Sequence, residues 1–276
     1  MKIVLITGCS SGIGRAAVQR LAGKAHVVAT ARNLGDIRDL EGPHVDSFQL
    51  DVTDRESRRQ CVESVLDHLG RIDCLVNNAG YGPFMPLEET DEATMQALFD
   101  VNVFGLHEMT RLVLPHMRAQ GSGRIVNVAS IVGHVSAPFI GAYAASKHAV
   151  RAMTVALDSE VRAFGIRTSL VEPGRIATRF SHRGRDEGRP VPPHYEAQQQ
   201  RYLDKYLHHG GAPPERIARY IERACLARRP RFHYLGPWDA KALKLTERIF
   251  GDGILRMAGR YMFGRPRREG EDEANR

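Results

Sequence analysis

The chain has little cysteine for its length: Cys9, Cys61, Cys74 and Cys225 are the only four among 276 residues. None stands in a CxxC pair, and a chain this long buries a core without covalent staples. Free thiols in a reducing cytoplasm are the expectation. Long apolar runs are missing too. No stretch approaches the roughly 18 uninterrupted apolar residues of a spanning helix. The opening "MKIVLITG" enters a strand pattern at once and does not read as a signal peptide. The net charge of +7 is not gathered into one long basic run, and no zinc-finger or RNP-type pattern is present. That argues against nucleic acid and leaves a phosphorylated cofactor or an acidic lipid surface as the anionic partner. The twelve histidines are scattered. Their one adjacent pair, His208-His209, does not share a helix face, and H-E-x-x-H is absent, so no metal site is expected. Internal repeats and linkers are absent as well.

What the chain does have is a series of short apolar segments: Ile3–Ile6, Val27–Ala31, Ser47–Leu50, Cys74–Val76, Ile125–Val128 and Thr168–Val171, with a seventh at Arg231–Leu235. Helix-length polar-patterned segments lie between them. Such alternation predicts an α/β fold, a Rossmann-type doubly wound parallel sheet of about seven strands with helices on both faces. Residues 1–240 read as one domain. Within it, 179–214 is rich in Arg, Gly, Pro and His and reads as a lid, with a helix around Tyr195–Tyr206. Residues 241–276 read as a basic helical extension followed by a polar tail expected to be disordered.

"LITGCSSGIGRAA" carries the first chemical signal. A buried strand runs into Gly8, then Gly12 and Gly14, then a helix. Glycine permits the tight turn, the approach of backbone N–H groups to a phosphate, and close packing of helix on sheet. The helix N-terminus adds partial positive charge. Ser10 and Ser11 offer hydroxyl donors, and Ile13 completes the loop. The strand-to-helix context makes this a nucleotide site rather than an ordinary turn.

The spacing T-G-x-x-x-G-I-G resembles the glycine loop of the short-chain dehydrogenase/reductase family. "LDVTD" at Leu50–Asp54, "NNAG" at Asn77–Gly80, "DVNVFG" with Asn102, "VNVASIVG" with Ser130, "YAASK" with Tyr143 and Lys147, and "EPGRIAT" at Glu172–Thr178 extend the likeness in order from Thr7 to Thr178. The resemblance implies that Asp51 and Val52 meet the adenine edge and that Asn77, Ala79 and Gly80 line the same groove. It also implies that Pro173, Gly174, Ile176 and Thr178 meet the nicotinamide side, and that the assembly is a homodimer or homotetramer. Arg175 stands nearby and faces either substrate or solvent. The second strand ends in Ala31-Arg32. An acidic residue there would bond a ribose 2′-hydroxyl, whereas a guanidinium suits a 2′-phosphate. NADP(H) is therefore expected over NAD(H).

Tyr143 and Lys147 lie one helical turn apart on one face. Carbonyl reduction needs a proton donor on the carbon–oxygen unit that exchanges hydride with the cofactor. A free phenol has a pKa of about 10, and a nearby ammonium together with the positive nicotinamide ring favours the phenolate. Lys147 is placed to do this and to bond the nicotinamide ribose. Ser130, at a strand end, would hold the substrate oxygen. By resemblance, Asn102 helps hold a water near the lysine. The pocket candidates Tyr81, Phe84, Met85, Val132, His134, Phe139, Ile140 and Phe180 are largely apolar, which favours a hydrophobic substrate, although core packing is the other reading for half of them. The motifs look similar to the hydroxysteroid and retinol dehydrogenase branch, which implies a bulky lipophilic small-molecule substrate. Arg179, Arg183, Arg185 and Arg189 face an acidic substrate or water. Two other readings stand beside the enzyme: a catalytically weak cofactor sensor, and a protein that contacts a membrane surface through the basic stretch Lys241–Arg268.

Overall fold

The computed structural model describes residues 1–176, 192–206 and 211–236. Seven strands form one parallel sheet: β1 (Ile3–Ile6), β2 (His26–Ala31), β3 (Val45–Gln49), β4 (Cys74–Asn77), β5 (Gly123–Val128), β6 (Ile166–Pro173) and β7 (His233–Gly236), in the order β3-β2-β1-β4-β5-β6-β7. The order reverses between β1 and β4, which opens a crevice beyond their carboxyl ends. In-register pairs such as Ile6 with Ala29, Ile6 with Val76, and Asn77 with Asn127 bring the strand exits to one edge. β1 and β4 are buried along their whole length. That explains their uninterrupted apolar sequence, since a parallel sheet is covered on both faces.

One face is covered by α1 (Gly12–Leu21) and the other by α2 (Arg55–Leu69), α4 (Leu106–Ala119) and α5 (Gly141–Val161). Between them come α3 (Glu92–Phe99), which runs into a π-helical turn over Asp100–Gly105, and later α6 (Pro193–Tyr206) and α7 (Pro214–Leu226). Ala17, Val18 and Leu21 of α1 share a core with Ile217, Ile221 and Cys225 of α7, under Val4 and Ile6 of the sheet. Helix ends follow their local chemistry. Asp54 accepts a hydrogen bond from Ser57 N at 2.5 Å and starts α2, and Gly70, at φ +75°, ends it. Asp91 caps α3 through Thr94 N at 2.9 Å.

Several strands start earlier than the apolar runs suggest. β5 begins at Gly123, where a Cβ would meet Met117 Sδ at 2.4 Å, so glycine lets α4 lie close against the strand start. β6 runs from Ile166 through Pro173, to the edge of the crevice. The expected lid helix is α6. Of the segment expected to form a lid, residues 179–191 and 207–210 lie outside the described residues, as do Lys241–Arg268 and the polar tail. Among those described, no helix is long and apolar enough to cross a membrane.

Candidate functional site

The glycine loop leaves β1 with Gly8 at φ +72° and turns again with Gly12 at φ +59°. A Cβ on Gly14 would lie 2.3 Å from Gly8 O and 2.5 Å from Asn78 Nδ2, so the first turn of α1 rests directly on the loop. Ser11 is the N-cap of α1, yet its side chain makes no capping bond. The helix end thus offers N–H groups to an anion. Thr7 Oγ1 accepts from Asn78 N at 3.0 Å and Ala79 N at 2.9 Å, while Asn78 Nδ2 donates to Thr7 O at 2.9 Å and Gly8 O at 3.0 Å. These bonds lock the exits of β1 and β4 together. The cradle fits the pyrophosphate of a dinucleotide. At the end of β2, Arg32 is exposed, and its carbonyl accepts from Gln49 Nε2 at 3.0 Å. One oxygen of Asp51 accepts from Thr53 N and Oγ1 at 2.9 and 2.7 Å, and Val52 is buried beside it. Asn77 departs from its expected place. Its side chain turns into the core, where Nδ2 donates to Thr110 Oγ1 at 3.0 Å and Asn127 Oδ1 at 2.9 Å, because side chains alternate faces along a strand.

Beyond β5, Ser130 opens a tight turn, with its hydroxyl accepting from Val132 N at 3.3 Å and donating to Pro173 O at 3.5 Å. The phenol of Tyr143 lies close enough to interact with the same hydroxyl. Lys147 is buried, one turn along α5; its Nζ donates to Val128 O at 3.0 Å and sits 5.8 Å from the centre of the Tyr143 ring. Burial pulls this ammonium down to about 8. Burial also pushes the phenol up to about 12, against the opposing effect of Ser130. Burial thus outweighs the Ser130 contribution, and in the cofactor-free protein the phenol lies above its ordinary 10. Gly80 keeps the floor open: a Cβ there would meet Asn102 Oδ1 at 3.0 Å and Lys147 Nζ at 3.6 Å. Asn102 sits in the π-helical turn, a feature that often marks a functional position. Its Oδ1 accepts from Tyr81 N at 3.0 Å, and its Nδ2 donates to Tyr81 O at 2.8 Å and Ser146 Oγ at 3.0 Å. The side chain is thus a brace between the β4 exit and α5.

A family model described as short chain dehydrogenase matches residues 2–188. The chain belongs to the short-chain dehydrogenase family. It is an oxidoreductase of that family, similar to an uncharacterised oxidoreductase, YbbO, of Escherichia coli K12 (34% identity over 88% of this chain and 89% of the relative). It is also similar to retinol dehydrogenase 8 of Bos taurus (36%, 91% and 78%) and to a 3-ketodihydrosphingosine reductase of Bacteroides thetaiotaomicron (40%, 65% and 66%). Among solved structures, a short-chain dehydrogenase from Streptomyces avermitilis superposes with a TM-score of 0.80 at 31% identity, covering 94% of this chain and 98% of that one. ElxO with NADP bound (0.69, 26%, 84% and 95%) and a Burkholderia phymatum family member in complex with NAD (0.79, 27%, 92% and 95%) share the fold.

With the family assigned, the remaining expected residues can be placed. Pro173 ends β6 against Ser130, Gly174 N just beyond it donates to Gly236 O at 3.0 Å, and Ile176 bridges to Ala212. Thr178 and Phe180 lie outside the described residues. Phe84 and Phe139 stack with ring centres 5.5 Å apart, and Tyr202 of α6 closes on both at 5.1 and 6.0 Å. Tyr195 meets the edge of Phe139 at 6.1 Å. Phe139 holds φ +65°, an uncommon conformation for a bulky residue, with its carbonyl accepting from Met85 N at 2.9 Å. Apolar rings from three separate segments therefore crowd the approach to α5. His134 is buried and bonded to Glu172. Sequence reasoning missed Thr7 and Asn78, whose signal was a hydroxyl and an amide inside two matched motifs. A groove of about 490 Å³ on the edge strand β3, lined by Glu41, Val45, Asp46, Phe48 and His68 among others, holds none of the candidate site residues.

Proposed function

We propose that the chain is an NADP(H)-dependent carbonyl reductase or alcohol dehydrogenase acting on a hydrophobic ketone or secondary alcohol. The observation that carries the reading is the meeting of the Ser130 hydroxyl and the Tyr143 phenol, with Lys147 buried one turn away. Bound in the cradle of Gly8, Gly12 and Gly14, the nicotinamide cofactor supplies or accepts hydride. The protein's own groups manage the oxygen. Ser130 holds it by a hydrogen bond aimed at developing negative charge. Tyr143, protonated at neutral pH, gives it a proton during reduction and takes one back during oxidation. Lys147, with a pKa near neutrality, restores the proton and orients the ribose. Asn102 keeps the β4 exit in register with α5. Arg32 supports the 2′-phosphate, since its neighbour Ala31 presents no carboxylate to repel one. The aromatic crowd of Phe84, Phe139, Tyr195 and Tyr202 supports a lipophilic substrate, as do relatives named for retinol and 3-ketodihydrosphingosine.

The test is a panel of hydrophobic ketones and alcohols assayed with NADPH and NADP+. Tyr143→Phe is expected to lower kcat by about 10²–10⁴-fold, the usual worth of a positioned proton donor, while NADP+ binding stays within a few-fold. Turnover by that variant at the wild-type rate would reject the assignment.

A further inference from the structure

Glu172 has no solvent exposure, and each of its carboxylate oxygens is taken by a histidine: Oε1 by His134 Nε2 at 2.6 Å and Oε2 by His233 Nδ1 at 2.9 Å. A buried carboxylate is costly unless paired, so the site demands both partners. The three residues come from separate segments. Glu172 is on β6 immediately before Pro173-Gly174. His134 ends the turn that Ser130 begins. His233 opens β7. A Cβ on Gly133 would lie 2.9 Å from Lys147 O, so this turn is pressed flush against α5 on its other side. The Ser130 turn is thus clamped between Glu172 and the backbone of Lys147.

We propose that His134 and Glu172 are positioning residues for the reaction described above, a proposal that rests on that reading. Glu172 anchors the Ser130 turn through His134 and is covalently continuous with Pro173, the carbonyl that Ser130 also touches. One carboxylate therefore sets the serine hydroxyl relative to both the phenol and the nicotinamide-side turn. His233, partly exposed on β7, fixes the second oxygen so that the carboxylate cannot rotate away.

The test uses His134→Leu, His134→Gln and Glu172→Gln in the full chain, with steady-state kinetics, NADP+ binding and backbone hydrogen exchange. His134→Leu is expected to lower kcat by about 10²-fold, the scale of a roughly 1 Å misplacement, with KM and the NADP+ dissociation constant within about threefold. His134→Gln, which keeps a donor, is expected to recover most of kcat, and Glu172→Gln to resemble His134→Leu. In His134→Leu, faster exchange should be confined to residues 130–135 and 172–176. Wild-type kcat in His134→Leu, or exchange that rises across the whole sheet, would overturn the proposal. If the wild-type protein turns over no ketone or alcohol, the functional reading fails, and the exchange pattern alone decides whether the clamp holds the Ser130 turn.

Discussion

Lys147 is a buried ammonium whose place in the site costs the fold. Its ammonium is buried with one backbone acceptor, and burial moves it from 10.5 to about 8. That difference corresponds to about 3 kcal/mol. The unfolded chain binds the proton more tightly, so between pH 8 and 10.5 it carries more protons than the native state. Stability contributed by this group therefore rises with pH across that window, and the full penalty is present below it. Lys147→Met removes the penalty. In the cofactor-free protein it is expected to raise stability at pH 7 by about 2 kcal/mol after the lost Val128 bond is subtracted, while turnover disappears. Urea melts at pH 7 and pH 10 check this; the gain should shrink at the higher pH. The pairing of Tyr143 with Lys147 was legible in the sequence, because a one-turn spacing fixes a shared face. The desolvation of the phenol was not, because it depends on neighbours brought from distant segments of the chain.

At the scale of elements, the strands were legible because a parallel sheet buried on both faces must be apolar throughout, as β1 and β4 are. Asn77 was misplaced for a related reason: motif membership says nothing about which face a side chain takes, and the pleat sends this one into a polar ladder with Thr110 and Asn127. The link between β6, β7 and the Ser130 turn was invisible, since Glu172, His134 and His233 are far apart in the chain. This link has a pH signature. Burial would raise Glu172, yet the hydrogen bonds and charge of His134 and His233 overcome it and hold the carboxyl at about 2, below its ordinary 4.5. A depressed carboxyl stabilises the fold above its unfolded pKa and loses that contribution as pH falls through the folded value. The window is pH 4.5 down to 2, and the loss amounts to about 3 kcal/mol. Glu172→Gln should flatten the fall in urea-unfolding free energy between pH 4.5 and pH 3, and an unchanged slope would show that other carboxylates govern acid unfolding.

At the scale of the whole molecule, the sheet order places one crevice where the exits of β1 and β4 diverge, and the glycine loop, Asn78 and Gly80 all meet there. A ligand in that crevice touches both halves of the sheet, so its binding energy adds to global stability. At a concentration about 100 times its dissociation constant, the gain is about 2.7 kcal/mol. For a domain of this size that raises Tm by about 5–10 °C. Which dinucleotide gives the larger shift depends on the far end of the crevice, where β2 delivers Arg32. Arg15 of α1 is engaged by Asp39 and by the carbonyl of Asp36. If Arg32 meets a 2′-phosphate, as proposed, NADP+ should raise Tm more than NAD+ at equal concentration. In Arg32→Asp a carboxylate repels the phosphate and accepts from a ribose hydroxyl instead. The NADP+ shift should then fall to a small fraction of its former size while the NAD+ shift grows. Equal shifts for the two cofactors in the wild-type protein would remove Arg32 from the site.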